Sequence, residues 1–159
     1  KINKYAEDII KREYTNEDGL LKEVIEYYQQ QIVSDLFQSA GQHISFSQKM
    51  NTLLTLLTTK TDYPSGCLLV TMAMIPERLG PNTLTTVRQL EQNVLDFYKS
   101  WIVKAQYEGE IKSTLSPHFL AQYIYYQCTT IVVRMSLGEE SQTLLKEGQL
   151  ALSVLYYCP

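Results

Sequence analysis

The fold is decided by the stretch Trp101–Ile111, which reads WIVKAQYEGEI, and by the stretch Ser116–Ala121, which reads SPHFLA. The first continues an amphipathic pattern as far as Gly109, a residue that readily takes the left-handed conformation at a helix C-terminus. The second begins with a serine suited to an N-cap and places Pro117 at the first helical position. The sequence therefore predicts that one long helix ends here and that another begins.

Outward from these stretches, apolar residues recur at helical spacing along almost the whole chain, which predicts an all-α fold. The β-branched run 129–133 favours strands in isolation, but it continues the helix that starts at Ser116, so we predict a helix there too. The run 67–75 is apolar on nearly every side, which predicts burial from all directions. A strand is the alternative there, but no neighbouring segment offers a partner strand. Ser45 or Ser47 is the predicted N-cap of the third helix. The predicted helices cover approximately residues 2–10, 15–37, 45–57, 83–108, 116–136 and 140–157.

The composition is that of an ordinary globular domain. The 159 residues include 14 basic and 17 acidic side chains, for a net charge of −3, so no strong positive field draws this chain onto nucleic acid. Cys67, Cys128 and Cys158 lie far apart, which indicates free thiols in a reducing compartment. No apolar run reaches the roughly 18 residues of a membrane span, and no signal peptide is visible. These features predict a cytoplasmic protein without membrane contact.

Three motifs occur in a characteristic order. Gly66–Leu69 (GCLL) opens an apolar segment, Ala105–Ile111 (AQYEGEI) ends a long helix, and Ser116 with Pro117 starts the next one. The ordered set resembles the regulatory domain of TetR-family transcriptional repressors. The resemblance implies that residues 16–159 form an all-α, TetR-like ligand-binding and dimerisation domain.

The N-terminal residues resemble pieces of the DNA-binding domain of the same family. Residues 14–21 (YTNEDGLL) resemble its junction with the regulatory domain, and residues 2–10 resemble its first helix. Roughly 30 residues of a helix-turn-helix would normally lie between these pieces. We therefore interpret residues 1–15 as a remnant of that domain, with a gap in the chain near Lys11 and Arg12. Glu17 stands where the family usually has a lysine that touches DNA phosphate. Because a carboxylate repels phosphate, we assign it no DNA contact.

The resemblance implies a ligand-responsive repressor that binds operator DNA as a homodimer, with one recognition helix in each half-site. A small apolar or aromatic effector that binds in the regulatory core would release the DNA by changing the spacing of the two DNA-binding domains. The alternative is a helical small-molecule-binding dimer without DNA-binding activity. The candidate ligand-lining residues are Met50, Leu54, Met72, Phe97, Trp101, Tyr123 and Gln127.

The last two long helices resemble the family's dimer interface, which forms a four-helix bundle with the second copy. Gly148 and Ala151 are small enough to let helices approach closely, whereas Cys128 stands where the family often has glycine. The alternative is that these helices only close the core of a single chain. The candidates are His118, Ala121, Tyr125, Cys128, Thr129, Val132 and Met135 on the first helix, and Leu144, Glu147, Gly148, Ala151, Val154 and Leu155 on the second.

Residues suited to catalysis are sparse. Neither His43 nor His118 has a cysteine, serine or carboxylate at a motif spacing, and no glycine-rich phosphate loop is present. The sequence therefore predicts no enzyme, no cofactor and no metal. A helix dipole could activate Cys67 as a redox sensor, but its apolar neighbours favour an inert buried thiol. Trp101 is either packed core or part of the wall of a ligand cavity.

Overall fold

The computed structural model describes residues 17–30, 44–59 and 68–157. Every regular element within these ranges is helical, so the predicted all-α class is confirmed. No helix in the described part of the chain combines the length and hydropathy that a bilayer span requires. The α-helices are α1 (Glu17–Tyr28), α2 (Phe46–Thr58), α3 (Leu68–Ala73), α4 (Pro81–Tyr107), α5 (Pro117–Ser136) and α6 (Ser141–Tyr157), with a 3-10 turn at Pro76–Arg78.

Local hydrogen bonds set several helix ends. Ser45 Oγ accepts a bond from the N–H of Gln48 at 3.2 Å, and Ser45 N donates to Gln48 Oε1 at 3.0 Å, which forms a capping box at the start of α2. Ser116 Oγ accepts from the N–H of Phe119 at 3.2 Å and caps α5. Gly109 follows α4 with a φ of 75°, the predicted left-handed conformation. The predicted extents of α4 and α5 are therefore confirmed closely.

A side chain from another helix caps the N-terminus of α4. The Asp18 carboxylate, on α1, accepts bonds from the N–H groups of Thr83 at 2.9 Å and Asn82 at 3.1 Å. Thr83 Oγ1 donates in return to the carbonyl oxygen of Asp18 at 2.9 Å. These bonds, chiefly those from Thr83, hold the pKa of Asp18 below its usual value. They fix α1 to the positive end of the longest helix dipole in the described chain.

Replacing Gly80 by alanine is expected to disturb this joint. Gly80 has a φ of −67° and a ψ of 162°, which alanine adopts without strain, but a Cβ there would collide with the Asp18 side chain. We expect Gly80→Ala to lower the free energy of unfolding by about 1–3 kcal/mol, because either Asp18 or the chain has to move. Urea unfolding followed by circular dichroism measures the change.

The control for Gly80→Ala is the same substitution in an Asp18→Gly background. Asp18→Gly removes the atoms that collide with the new Cβ. Only the preference for glycine over alanine at an N-cap then remains, which costs about 1 kcal/mol or less. An equal cost in both backgrounds would contradict the collision.

The core forms where α4 packs along α5 and α1, and where α2 packs against α5 and α6. Gly148 of α6 lies so close to α2 and α5 that a Cβ there would come within 2.8 Å of a methyl carbon of Leu54 and 2.7 Å of one of Ile131. The β-branched run 129–133 is helical as predicted and buries Ile131 and Val132. Tertiary packing thus outweighs the strand propensity of this run.

The apolar run 67–75 differs from its prediction. The helix α3 has six residues, and it buries Leu69 and Val70 while Thr71 is exposed and Met74 is 62% exposed. The helix packs chiefly against α4 and also contacts α1 and α5, yet Thr71 and Met74 stay in contact with water. The prediction that this segment is buried on every side is therefore wrong.

Several predictions lie outside the described residues. They concern the helix over residues 2–10, the DNA-binding remnant over residues 1–15 with its gap near Lys11 and Arg12, and the thiol of Cys67. These remain predictions.

Candidate functional site

A small pocket opens between the start of α2 and the end of α4. Its floor is buried and its rim carries charged side chains, and we call it the Lys49 pocket. Its enclosed volume is about 10 Å³, which is room for about one water molecule and far less than a drug-sized ligand needs. The lining residues are Ile44, Phe46, Lys49, Trp101, Lys104, Ala105, Glu108 and Glu110.

Trp101 forms one wall of the Lys49 pocket. Its ring packs edge-on against Phe97, with 4.6 Å between ring centroids, and against Tyr98 at 6.0 Å. The Lys49 ammonium lies over the ring, 5.3 Å from its centroid, which is within reach of a cation–π interaction. Trp101 is 6% exposed. It is therefore packed core that also reaches the pocket.

Two acidic side chains stand at the rim of the Lys49 pocket. Glu110 Oε2 accepts a hydrogen bond from the N–H of Phe46 at 2.8 Å, which ties the segment after α4 to the start of α2. Glu108 pairs with Lys104 at 3.8 Å within the last turn of α4. Burial, followed by the charge of Lys104, lowers the pKa of Lys49, while the two carboxylates oppose that shift. The site thus holds two cations and two anions.

Of the seven predicted ligand-lining residues, only Trp101 lines this pocket. Met50 and Leu54 are fully buried in the core, and Tyr123 donates its hydroxyl hydrogen to the carbonyl oxygen of Ala151 at 2.8 Å. A common cavity for all seven stays a prediction. The remaining three, Met72, Phe97 and Gln127, are half-buried.

Sequence analysis did not single out Lys49. It lies three residues after Phe46 and four before Leu53, so it occupies the apolar face of α2. A lysine in that register was the available signal, because an ammonium seldom lies on a buried face without a function or a partner.

The predicted dimer residues divide into two groups. His118 is exposed, while Thr129 and Ala151 are half-buried. Glu147 and Val154 are exposed as well. The others are buried in the core of this same chain, because the apolar faces of α5 and α6 are covered by α4 and α2. For these residues the predicted contact with a second copy stays a prediction. They are Ala121, Tyr125, Cys128, Val132, Met135, Leu144, Gly148 and Leu155.

A different face of α5 carries exposed apolar side chains. Phe119, Tyr126 and Leu137 are all more than half exposed. Their spacings of seven and eleven residues place them on one stripe of the helix, directly opposite the buried face. The stripe leaves large apolar groups in contact with water.

On α6, Leu150 and Val154 are also exposed. They share a helix face with Glu147 and Ala151, both of which are bonded to α5, through Arg134 and Tyr123 respectively. The exposed apolar residues of the two helices therefore lie on neighbouring surfaces. We call this set the α5–α6 face, consisting of Phe119, Tyr126, Leu137, Leu150 and Val154.

An arginine links the two helices beside this face. Arg134 Nε and Nη2 bond Glu139 at 2.9 Å and 2.6 Å, and Nη1 pairs with Glu147. The bonds to Glu139 and then to Glu147 raise the pKa of Arg134, and the same arginine lowers the pKa of Glu139. Exposed ion pairs add little stability, so the main effect of this one is to fix α6 against α5.

Within the described ranges, no three or more His, Cys, Asp or Glu side chains come together in a way that could hold a metal ion. Comparison of the chain with protein-family models, curated proteins and solved structures finds no match.

Proposed function

We propose that this chain is the ligand-binding and dimerisation part of a TetR-like transcriptional repressor, which binds operator DNA as a homodimer and releases it when a small effector binds. The observation that carries the proposal is the α5–α6 face. Large apolar groups exposed on two adjacent helices are unusual on a monomer, and they mark a surface that another protein covers.

A second copy of this chain suits that surface. Two helices with apolar outer faces, met by the same pair from a second copy, form a four-helix bundle. A two-fold axis makes one self-complementary surface serve both subunits. Phe119 and Tyr126 supply the large aromatic side chains that commonly anchor such interfaces.

The part of the proposal that concerns DNA rests on the TetR resemblance of residues 1–21. The net charge of −3 gives no general attraction to DNA, so a dedicated DNA-binding domain has to supply the affinity for DNA. The ligand-binding part rests on the TetR resemblance of the motifs in residues 66–121, since the Lys49 pocket has room for about one water molecule. The second candidate function is a small-molecule-binding dimer without DNA recognition, which the same α5–α6 face supports equally.

Selection of DNA by the intact protein tests the proposed function. The protein is incubated with a pool of random duplexes, and the bound fraction is sequenced after several rounds. We expect enrichment of a palindrome whose half-sites lie roughly 34–36 Å apart, one helical turn of DNA. Enrichment of no sequence by a protein that is dimeric in solution would favour the second candidate.

Replacing Leu150 by lysine is expected to weaken the dimer roughly 500- to 1,000-fold, because it removes about 2 kcal/mol of apolar burial from each of the two subunits, about 4 kcal/mol in all. Leu150 is 73% exposed in the single chain, so the fold of the subunit should not change. Sedimentation equilibrium over a range of protein concentrations measures the dimer dissociation constant.

Tyr107→Lys is the matched control for Leu150→Lys. Tyr107 is 92% exposed at the end of α4, outside the α5–α6 face. The Tyr107→Lys substitution should leave the dimer dissociation constant unchanged. If both lysine variants dimerise like the wild type, the α5–α6 face is not the dimer contact.

A further inference from the structure

The turn between α5 and α6 is closed twice by the same pair of residues. The N–H of Glu139 donates to the carbonyl oxygen of Arg134 at 3.2 Å. Gly138, with a φ of 86°, donates its N–H to the carbonyl oxygen of Met135 at 3.0 Å. This is the Schellman pattern, in which an apolar contact commonly joins the outer pair. Here the Arg134 guanidinium binds the Glu139 carboxylate instead, through Nε and Nη2, and its Nη1 reaches Glu147 of α6.

Two separate bonds fasten α6 to α5. Arg134 Nη1 pairs with the carboxylate of Glu147, and Tyr123 donates its hydroxyl hydrogen to the carbonyl oxygen of Ala151 at 2.8 Å. The two α5 partners lie about three helical turns apart, and the two α6 partners lie about one turn apart. Because two separated bonds restrain both the sliding and the rotation of one helix against the other, they hold α6 in a single alignment on α5.

Each of the four bonded residues precedes an exposed apolar residue of the α5–α6 face by three positions. The pairs are Tyr123 with Tyr126, Arg134 with Leu137, Glu147 with Leu150, and Ala151 with Val154. Residues three apart are neighbours on the surface of a helix. The two bonds therefore run along the α5–α6 face, and the alignment that they fix is that of its apolar side chains.

We infer that Arg134 and Tyr123 are positioning residues of the α5–α6 face, which hold α6 on α5 in the alignment that a second copy of the chain binds. The inference rests on the proposed function, because it takes the second copy as the partner of this face. Exposed ion pairs and single hydrogen bonds add little to the stability of a fold. Their effect on association is larger, because a face that is already aligned loses less conformational freedom on binding.

Arginine has the geometry that its position in this turn needs. The guanidinium presents five N–H donors in a fixed plane, so it binds Glu139 through two nitrogens and Glu147 through the third. A lysine ammonium is a compact charge on a flexible stem. Arg134→Lys is therefore expected to keep the charge and lose the alignment.

Sedimentation equilibrium of the intact protein tests the inference. Tyr123→Phe removes only the hydroxyl group, and Arg134→Met replaces the guanidinium by an apolar chain. We expect each substitution to raise the dimer dissociation constant roughly 10-fold, while the circular dichroism spectrum stays that of the wild type. Subunits that hold the binding alignment about one third of the time give this factor, since both subunits of the dimer have to be aligned.

Arg88→Met and Tyr107→Phe are the matched controls, because both residues are exposed on α4. They should leave the dissociation constant unchanged. A further variant adds Glu147→Gln to Arg134→Met. Because both substitutions remove the same bond, this double variant should dimerise like Arg134→Met alone.

Folded Arg134→Met and Tyr123→Phe proteins that dimerise as tightly as the wild type overturn the inference and leave the proposed dimer intact. Equal weakening by the two controls also overturns it. If Arg134→Met does not fold, Tyr123→Phe decides, since it keeps the ring and loses only one hydrogen bond. A wild-type protein that stays monomeric at every concentration overturns the dimer part of the proposed function as well, so the two failures are distinguishable.

Discussion

Replacing Trp101 by alanine is expected to lower the free energy of unfolding by about 3–5 kcal/mol, the range for truncation of a large buried aromatic side chain. The ring is 6% exposed and packs against Phe97, Tyr98 and Lys49 at the same time. Its removal leaves a cavity at the end of α4 and takes away the aromatic face beside the Lys49 ammonium. Both losses lower the free energy of unfolding.

Urea unfolding followed by far-ultraviolet circular dichroism measures this change, because the variant has no tryptophan fluorescence. Val103→Ala is the control, since Val103 lies two residues further along α4 and is 49% exposed. It should change the stability by about 0.5 kcal/mol or less. A Trp101→Ala protein of nearly wild-type stability that had lost its ligand response would instead identify Trp101 as a cavity wall with little packing.

Cys128 is expected to react with iodoacetamide at least roughly a thousand-fold more slowly in the folded protein than in urea. Burial raises the pKa of its thiol to about 12 from 9.0, although a hydrogen bond with Tyr98 opposes the shift. Because only the thiolate reacts, three pH units remove roughly three decades of the reactive fraction near neutral pH. The side chain is also buried, which bars the reagent.

Mass spectrometry of proteolytic peptides after timed alkylation measures the rate at Cys128 separately from the rates at Cys67 and Cys158. The urea-unfolded protein provides the reference rate for each thiol. Alkylation of Cys128 at similar rates in folded and unfolded protein would show that α5 opens readily. Slow alkylation identifies this thiol as structural.

The local signals of this sequence were sufficient for the start of α2, the end of α4 and the start of α5. Ser116 and Pro117 start α5, Gly109 follows α4, and Ser45 caps α2 through Gln48. Each of these contacts joins residues within about four positions of one another, so the residue types alone predict them. The helical register of the apolar residues predicted which face of α5 and α6 is buried.

Only the tertiary structure decided which part of the molecule covers the apolar face of each helix. Apolar spacing shows that a helix face avoids water, but it does not distinguish a neighbouring helix from a second copy of the chain. Leu144 and Gly148 were therefore predicted at a dimer contact, whereas they pack against the chain's own core. For the same reason, Met74 is exposed although it lies within the apolar run 67–75.

The candidate site depends on contacts between residues far apart in the sequence. Asp18 caps α4 by bonding Thr83, 65 residues away, and Glu110 holds Phe46, 64 residues away. No residue within one helical turn of Lys49 indicates that Trp101 lies against its ammonium group. The sequence by itself determined the helices and their apolar faces, because local hydrogen bonds and periodicity set them. Only the packing of α2 against α4 decided that Lys49 is buried next to Trp101, because burial depends on which helices meet.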